Sequence, residues 1–320
     1  MNVLVVGGAG YIGGIVTDLL TESSHEPRVF DSLLYEESFR KPVDFVNGDI
    51  RDRDLLARNL AWADAVVWLA ALVGDGACAL NPEVAVELNQ DSVRWLADHY
   101  DGRVLFLSTC SVYGAQDAVL DEDSPTRPLS VYAATKLAAE AYLADRDALI
   151  FRLGTIYGVG DAYSRVRLDL VVNALTVRAV REGEITVFGG EQWRPLLHVR
   201  DVAHAIVDNL DRPQRGVFNL HRDNLKIIDL AEIFQRHFPD LAVRVTEMSF
   251  EDARNYRVSS GRAKGSLAFD PVHTVDDGIA EVRALVEGDR LKDVNNPRYT
   301  NHGFLSANSH HLHFPARSGT

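Results

Sequence analysis

Cysteine is scarce in this sequence, with only Cys78 and Cys110 among 320 residues. Two cysteines cannot build the network of bridges on which many small secreted domains depend. A single bridge between them is the alternative, but we expect two reduced thiols, as is usual inside cells.

Long apolar runs are absent as well. No stretch approaches the roughly 20 residues that a helix needs to span a bilayer. The chain enters a strand pattern directly at Met1–Leu4, which leaves no room for the charged and apolar regions of a signal peptide. We therefore expect a cytoplasmic protein with no membrane partner.

Basic residues are outnumbered, since 33 Lys and Arg stand against 46 Asp and Glu and give a formal net charge of −13. A general nucleic-acid binder needs a basic surface, so this charge argues against that class. An anionic small molecule is not excluded, because a few arginines in a cleft create a local positive field. The 46% hydrophobic and 25% charged residues are typical of a compact globular protein.

Short apolar runs alternate with helical patterns through the first half of the chain. The predicted strands are Val3–Val6, Arg28–Phe30, Asp44–Val46, Ala65–Leu69, Val104–Leu107 and Ala148–Leu153. The predicted helices between them are Ile12–Leu20, Asp52–Leu60, Pro82–Tyr100 and Ser130–Asp145. Because right-handed crossovers place helices on both faces, this alternation predicts an α/β fold with a Rossmann-like, doubly wound parallel sheet.

Beyond about residue 158 the pattern becomes less regular. Helices are predicted at Leu168–Arg181, Asp201–Leu210 and Ile228–Phe238, and a strand at Val217–Leu220. Asp201 is placed to cap the start of its helix. We expect the C-terminal portion to form a smaller α+β lobe over the carboxyl ends of the sheet, with Arg194–Leu220 returning to the larger lobe.

A glycine-rich turn, Gly7 to Gly13, follows the first predicted strand and opens the first helix. Glycines let the backbone approach a pyrophosphate, and the helix N-terminus offers that anion unpaired N–H groups and a positive dipole end. Asp31 ends the second strand about 20 residues later, where a carboxylate accepts hydrogen bonds from the adenosine ribose. No arginine follows it to receive a 2′-phosphate, so NAD is favoured over NADP; an aspartate in an ordinary turn is the alternative.

The expected division of the chain has three parts. Residues 1–160, with about 194–220, form the NAD-binding domain, and residues 161–193 and 221–288 form the substrate lobe. Residues 289–320 lack helical periodicity, which predicts a surface arm or a frayed tail. His310, His311 and His313 in this segment lack Cys or acidic partners at ligand spacing, so we expect no metal site.

Tyr132 and Lys136 lie four residues apart on a predicted helix, hence on one face. A tyrosine has an ordinary pKa near 10, and we expect the ammonium and a nicotinamide cation to lower it. Thr109 ends a strand about 20 residues earlier, where its hydroxyl faces a ligand at the carboxyl edge of the sheet. Taken alone, a core tyrosine with a solvated lysine, or a Thr that caps its own turn, explains these residues equally well.

Together the motifs resemble the extended short-chain dehydrogenase/reductase family, in particular its NAD-dependent nucleotide-sugar epimerase/dehydratase group, over roughly residues 3–286. The matching cofactor residues are Gly7, Gly10, Tyr11, Ile12 and Gly13 in the turn, Asp31, Asp49, Ile50, Leu69, Ala70, Ala71 and Asn89. Thr109, Tyr132 and Lys136 match the catalytic triad, in which Tyr132 and Lys136 also contact the cofactor. The resemblance extends to Arg152–Gly158, Arg194–Val202 and Leu267–Pro271.

The resemblance also implies substrate contacts. Arg194 and Arg254 match the arginines that bind the diphosphate, and the loop with Val73 and Asp75 should line the sugar pocket. For Asp75 a plain surface loop, and for Arg254 a surface salt bridge, are the alternatives. Thr155 stands where the family often has Asn and Val159 where it often has Pro, which puts the contacts there in doubt.

One departure concerns the reaction. The sugar 4,6-dehydratases carry an Asp-Glu pair after the catalytic Thr, where this chain has Cys110 and Ser111. A thiol is a weak acid and a neutral hydroxyl cannot readily take a second proton, whereas Ser111 resembles the hydroxyl that holds the sugar in epimerases.

We therefore expect an NAD-dependent epimerase of a nucleotide-diphosphate sugar, acting at C4 through a transient 4-keto intermediate. The alternatives are a 4-ketoreductase or dehydrogenase of a nucleotide deoxysugar, a dehydratase, and a non-catalytic NAD-sensing scaffold. The resemblance further implies a homodimer joined through the helices near Pro82–Tyr100 and Ser130–Asp145.

Overall fold

A seven-stranded parallel sheet forms the centre of the protein, in a computed structural model that describes residues 1–161, 163, 165–247, 254–291 and 293–312. Its strands are β1 (Asn2–Val6), β2 (Glu26–Asp31), β3 (Asp44–Asn47), β4 (Ala65–Trp68), β5 (Arg103–Thr109), β7 (Ala148–Leu153) and β11 (Gly216–Leu220). They lie in the order β3-β2-β1-β4-β5-β7-β11. All the pairings are parallel, which confirms the predicted doubly wound sheet.

Helices cover both faces of this sheet. On one face lie α1 (Gly13–Thr21), α8 (Val199–Val207) and α10 (Gly261–Leu267), which share an apolar cluster with Val3 and Val5 of β1. On the other lie α2 (Arg53–Leu60), α5 (Ser92–His99) and α6 (Val131–Leu143), which share a second cluster with Leu4 and Val6. Successive strand residues face opposite sides, so an uninterrupted apolar strand fits a sheet buried on both faces.

The helix predicted as one unit over Pro82–Tyr100 is interrupted. It consists of α4 (Pro82–Val86), a π-helical turn (Glu87–Asp91) and α5, and a short α3 (Asp75–Leu80) precedes it. The apolar periodicity continues through all three segments, so it does not reveal the wider turn.

The prediction that Asp201 caps its helix is wrong. His198 is the N-cap of α8, and its side chain accepts a hydrogen bond from the Arg200 N–H. The Asp201 carboxylate instead accepts bonds from the N–H groups of Val272 and His273, 3.2 and 3.1 Å away.

The smaller lobe is assembled from short sheets and three helices. β8 (Thr155–Tyr157), β10 (Trp193–His198) and β12 (Asp223–Lys226) form one sheet, and β9 (Glu184–Phe188) pairs with β13 (Ala242–Thr246). α7 (Val171–Glu182), α9 (Ile227–His237) and α11 (Val275–Glu287) pack around a core that includes Tyr157, Leu196 and Phe234. A further pair, β6 (Ala115–Leu120) and β14 (Asn255–Val258), links the lobe to the end of β5. The return to the large sheet begins at α8, because β10 still belongs to the small one.

The end of the chain, predicted to be a surface arm or a frayed tail, contains short helical segments within the described residues. Two 3₁₀ turns, Pro297–Tyr299 and Ser309–Leu312, flank α12 (Asn301–Ala307). Leu305 and Leu312 are buried against Leu72 and Cys78. His313 lies outside the described residues. In the described part of the chain, no helix has the length and apolarity needed to cross a membrane.

Candidate active site

A cavity of about 1400 Å³ lies at the carboxyl ends of the central strands, between the sheet and the smaller lobe. Nearly all the predicted site residues line it. From the cofactor set these are Gly7, Gly10, Tyr11, Ile12, Gly13, Asp31, Asp49, Ile50, Leu69, Ala70 and Ala71. From the catalytic and substrate sets they are Thr109, Tyr132, Lys136, Val73, Asp75, Ser111, Thr155, Arg194 and Arg254.

Asn89 is the exception, because it lies behind the cavity wall. Its buried amide accepts a hydrogen bond from the Leu72 N–H at 2.7 Å and donates one to the Leu72 carbonyl at 2.9 Å. It therefore fixes the segment that follows β4 from the π-helical turn and does not reach the cavity.

The glycine turn is closely packed against the residues that follow β4. Gly7 has φ +89°, and a Cβ there would lie 2.6 Å from the Ala70 nitrogen. The Asp31 carboxylate accepts bonds from the N–H groups of Ala9 (3.0 Å) and Leu33 (2.8 Å), and its burial raises its pKa. This glycine cradle and its acid, with no arginine at 32–35, fit a dinucleotide that has a free ribose.

Asp49, two residues after the end of β3, is held by an arginine. The Arg51 guanidinium donates to both carboxylate oxygens of Asp49, at 2.9 and 2.7 Å. Ile50 beside it is buried and lines the same end of the cavity.

Helix α6 carries Tyr132 and Lys136 on its cavity side. Its N-cap is Ser130, whose hydroxyl accepts a bond from the Ala133 N–H (3.2 Å) and donates to Asp75 (2.7 Å). Lys136 Nζ donates to the Leu107 carbonyl at 2.8 Å and lies 4.7 Å from the centre of the Phe106 ring. The cap therefore joins the start of the helix to the loop after β4.

Lys136 is expected from the sequence to lower the pKa of Tyr132. In the structure the pKa of Tyr132 is instead raised, and Lys136 is not among the groups that shift it. Burial raises the pKa of Tyr132, and the positive charge of Arg167 opposes that rise. Burial also lowers the pKa of Lys136, to about 8. Arg167 lines the cavity and is paired with Asp169 at 2.9 Å.

In the turn after β5, Ser111 lines the cavity whereas the neighbouring Cys110 does not. Thr109 Oγ1 accepts a bond from the Ser111 N–H at 3.1 Å, and Ser111 Oγ lies 3.2 Å from Tyr256 Oη inside the cavity. Cys110 is fully buried, and its thiol donates to the Arg152 carbonyl at 3.2 Å. Burial raises the pKa of that thiol, and Cys110 does not line the cavity. Cys78 and Cys110 are both free thiols.

Asp75 and Arg254 form an ion pair with each other at 3.3 Å, across the gap between the loop after β4 and the smaller lobe. Arg194 donates to the carbonyls of Trp193, at 2.8 Å, and Arg254. A salt bridge, the alternative given above for Arg254, is therefore present, and both of its residues line the cavity. Asp252, two residues before Arg254, lies outside the described residues.

The cavity-lining residues that sequence reasoning did not single out include Arg165, Arg167, Tyr256 and Asn301. Arg165 and Arg167 lie in the irregular segment after residue 158, which contains no motif that would mark them as site residues. Tyr256 lies two residues after Arg254, so alternation along β14 was the one available signal. Within the described residues, no three His, Cys, Asp or Glu side chains are grouped to hold a metal ion.

Comparison with known proteins identifies this arrangement. A protein-family model described as the NAD dependent epimerase/dehydratase family matches residues 3–220. The chain belongs to this family. It is therefore an NAD-dependent enzyme of the extended short-chain dehydrogenase/reductase type, and the glycine cradle with Asp31 fits NAD.

Individual members of the family differ in their reactions. The UDP-glucose 4-epimerase of Corynebacterium glutamicum is 28% identical over 91% of this chain and 98% of its own. The dTDP-glucose 4,6-dehydratase of an Actinoplanes species is 30% identical over 91% of this chain and 99% of its own. The solved structure of MoeE5 in complex with UDP-glucose and NAD is 25% identical, with a TM-score of 0.77 over 91% of this chain and 100% of that one.

Proposed function

We propose that this family member is an epimerase that inverts C4 of a nucleotide-diphosphate sugar through a transient 4-keto intermediate. The observation that carries the proposal is the turn after β5. The hydroxyls of Thr109 and Ser111 share the cavity with Tyr132, while Cys110 is buried against the Arg152 carbonyl. The groups needed to oxidise an alcohol are therefore together, and position 110 offers no acid for an elimination.

The proton is handled by Tyr132 and Thr109. NAD, which the glycine turn and Asp31 would hold, would supply the hydride acceptor for this chemistry. Tyr132 Oη takes the C4 hydroxyl proton and gives it back, with Thr109 Oγ1 sharing the hydrogen bond. Because burial raises the pKa of Tyr132, the positive charge of Arg167, which opposes that rise, stabilises the phenolate during this transfer.

Substrate binding changes the partner of Arg254. Guanidinium groups suit phosphate oxygens, so Arg194 and Arg254 are the groups that hold the diphosphate. When Arg254 leaves Asp75 for a phosphate, the Asp75 carboxylate becomes free to accept a bond from a sugar hydroxyl. Ser111 and Tyr256 then hold the keto sugar while it turns.

A 4-ketoreductase would use the same triad, and a dehydratase would need a further acid. The two differ from an epimerase in their products, because one consumes reduced cofactor and the other eliminates water. A single experiment with the purified protein can therefore distinguish a ketoreductase and a dehydratase from an epimerase.

The experiment uses UDP- and dTDP-glucose deuterated at C4, first without and then with added free NAD, and identifies the products by NMR. We expect the C4 epimer with the label retained at C4. Tyr132→Phe should slow turnover by about 10² to 10⁴-fold, the range for loss of a positioned acid–base group. Tyr142→Phe, which changes a tyrosine on the same helix outside the cavity, is the matched control and should keep full activity.

Transfer of the label to free NAD would contradict the epimerase scheme and favour net redox chemistry. A 4-keto-6-deoxy product would favour a dehydratase. Full biological activity of Tyr132→Phe would contradict any role in catalysis and favour the non-catalytic NAD-sensing scaffold.

The homodimer and the cellular location are also proposals. Ala134, Ala138 and Ala141 on the outer face of α6 are at least partly exposed, near the half-buried Tyr142 and Trp95. Such a face allows two copies of the α5 and α6 pair to approach closely. The two free thiols support a cytoplasmic location.

A further inference from the structure

The C-terminal arm, defined here as residues 293–312, crosses the open side of the cavity. Arg298 pairs with Glu36 after β2 at 3.2 Å. Arg51 after β3 donates to the Leu312 carbonyl at 2.9 Å. Leu168 after β8 donates its N–H to the Tyr299 carbonyl at 2.9 Å. The arm thus joins loops that lie on opposite sides of the same cleft.

Asn301 makes the central contacts of the arm. Its side chain donates to the Val73 carbonyl at 2.7 Å and accepts a bond from Arg165. Its N–H donates to Asp169 at 2.8 Å. The residue is only 4% exposed, so each of these bonds is made in a site with little competing water.

Apolar contacts add to these bonds. Leu305 and Leu312 are 1% and 3% exposed, within the cluster that contains Leu72 and Cys78. The ring of Phe304 lies 5.1 Å from that of Tyr35, and the Arg165 guanidinium lies 3.6 Å from the centre of the Tyr35 ring. Withdrawal of the arm would expose these side chains to water, so the closed position is favoured.

The arm is also part of the cavity wall. Asn301, His302 and Leu312 line the cavity, together with Asp31 and Asp49 at the cofactor end and Val73 at the sugar end. We propose that Asn301 holds the C-terminal arm closed against the cavity, and that the arm must move away before the cofactor can leave. This inference rests on NAD as the cofactor of the family and holds whichever reaction the enzyme performs.

The first test measures how fast NADH leaves the protein, by its fluorescence after mixing with excess NAD. Asn301→Ala should release NADH about tenfold faster or more, since each factor of ten corresponds to about 1.4 kcal/mol and several bonds are lost. Asn295→Ala is the matched control, because its side chain is exposed on the same arm. Equal rates for the parent, Asn301→Ala and Asn295→Ala would overturn the proposal.

The second test uses the unaltered protein, so it decides the matter even if Asn301→Ala does not fold. Hydrogen–deuterium exchange is measured on peptides that cover 297–307, with and without NADH. A cofactor that leaves only when the arm opens must favour the closed arm, so bound NADH should slow exchange there more than in α11. Exchange that NADH leaves unchanged in the arm would overturn the proposal. Neither test uses a sugar, so their outcome is independent of the epimerase assignment.

Discussion

Lys136 is a charged residue in an apolar position, since it is 3% exposed and lies beside the Phe106 ring. Its Nζ donates to a backbone carbonyl, and the pKa of Lys136 is lowered to about 8 because burial disfavours the ammonium. A residue needed only for folding would be better apolar at this position. Its charge is therefore maintained at a cost in stability, as is common for groups that act on a ligand.

This cost predicts how stability depends on pH. The unfolded lysine binds its proton up to about pH 10.5, whereas the folded one loses it near pH 8. The unfolded state therefore holds more protons between these values, and folding stability rises with pH across that window. Relative to Lys136→Met, the parent should gain on the order of 1–3 kcal/mol between pH 7 and 10 in urea unfolding.

Lys264→Met removes an exposed lysine and is the matched control for that series. A free-energy difference between the parent and Lys136→Met that does not change from pH 7 to 10 would contradict the buried cation.

Gly7 and Gly183 provide a second comparison between single residues. Both have positive φ, +89° and +65°, but a Cβ at Gly7 would contact Ala70 whereas the space at Gly183 is open. Gly183→Ala should cost about 1 kcal/mol of unfolding free energy through backbone strain alone and leave NADH affinity unchanged. Gly7→Ala should cost more and weaken NADH binding at least tenfold, measured by fluorescence titration. Equal effects of the two substitutions on affinity would argue against the cradle.

At the level of elements, the central strands were predicted well because burial on both faces leaves an apolar run that sequence displays directly. Two strands of the smaller lobe, β12 and β13, were missed for the opposite reason. β13 is largely exposed and carries alternating polar residues, and β12 has no fully buried residue, so neither has an apolar run. Such strands are defined by their partners, and those partners lie far along the chain.

The residues of the candidate site likewise fall into those that the sequence could predict and those that it could not. Gly7, Asp31, Tyr132 and Lys136 could be found because one ligand requires them at fixed spacing within one or two elements. Asn301 could not, since it bonds to Val73 across 228 positions of sequence and no local pattern records that contact. Cys110 was identified as a departure, but only the folded turn shows which way its side chain points.

Helix capping gives a prediction at this scale. Ser130 caps α6 and also holds Asp75, whereas Thr274 caps α11, which does not line the cavity. Ser130→Ala and Thr274→Ala should each lower the free energy of unfolding by about 1 kcal/mol, the usual cost of a lost cap. Only Ser130→Ala should also reduce kcat/KM, because Tyr132 begins the same turn. A matching loss of kcat/KM in Thr274→Ala would mean that stability alone explains the effect.

At the level of the whole molecule, the proposed homodimer can be tested by introducing a large side chain into the expected interface. Ala138→Arg on the outer face of α6 should shift the protein from dimer to monomer in sedimentation velocity, because the small residue allows close approach of two helices. Ala242→Arg, at an exposed alanine of β13, is the control and should leave the dimer intact. A monomeric parent protein would contradict the proposal outright.

The inward orientation of Cys110 limits what a change of one residue can achieve. An aspartate introduced there would bring its oxygens against the Arg152 carbonyl in a position without water, where two acceptors repel each other. Placing an acid for elimination at this position would therefore require the backbone of the turn to be rebuilt first. A stepwise route from the proposed epimerase to a dehydratase through position 110 would pass through poorly folded intermediates.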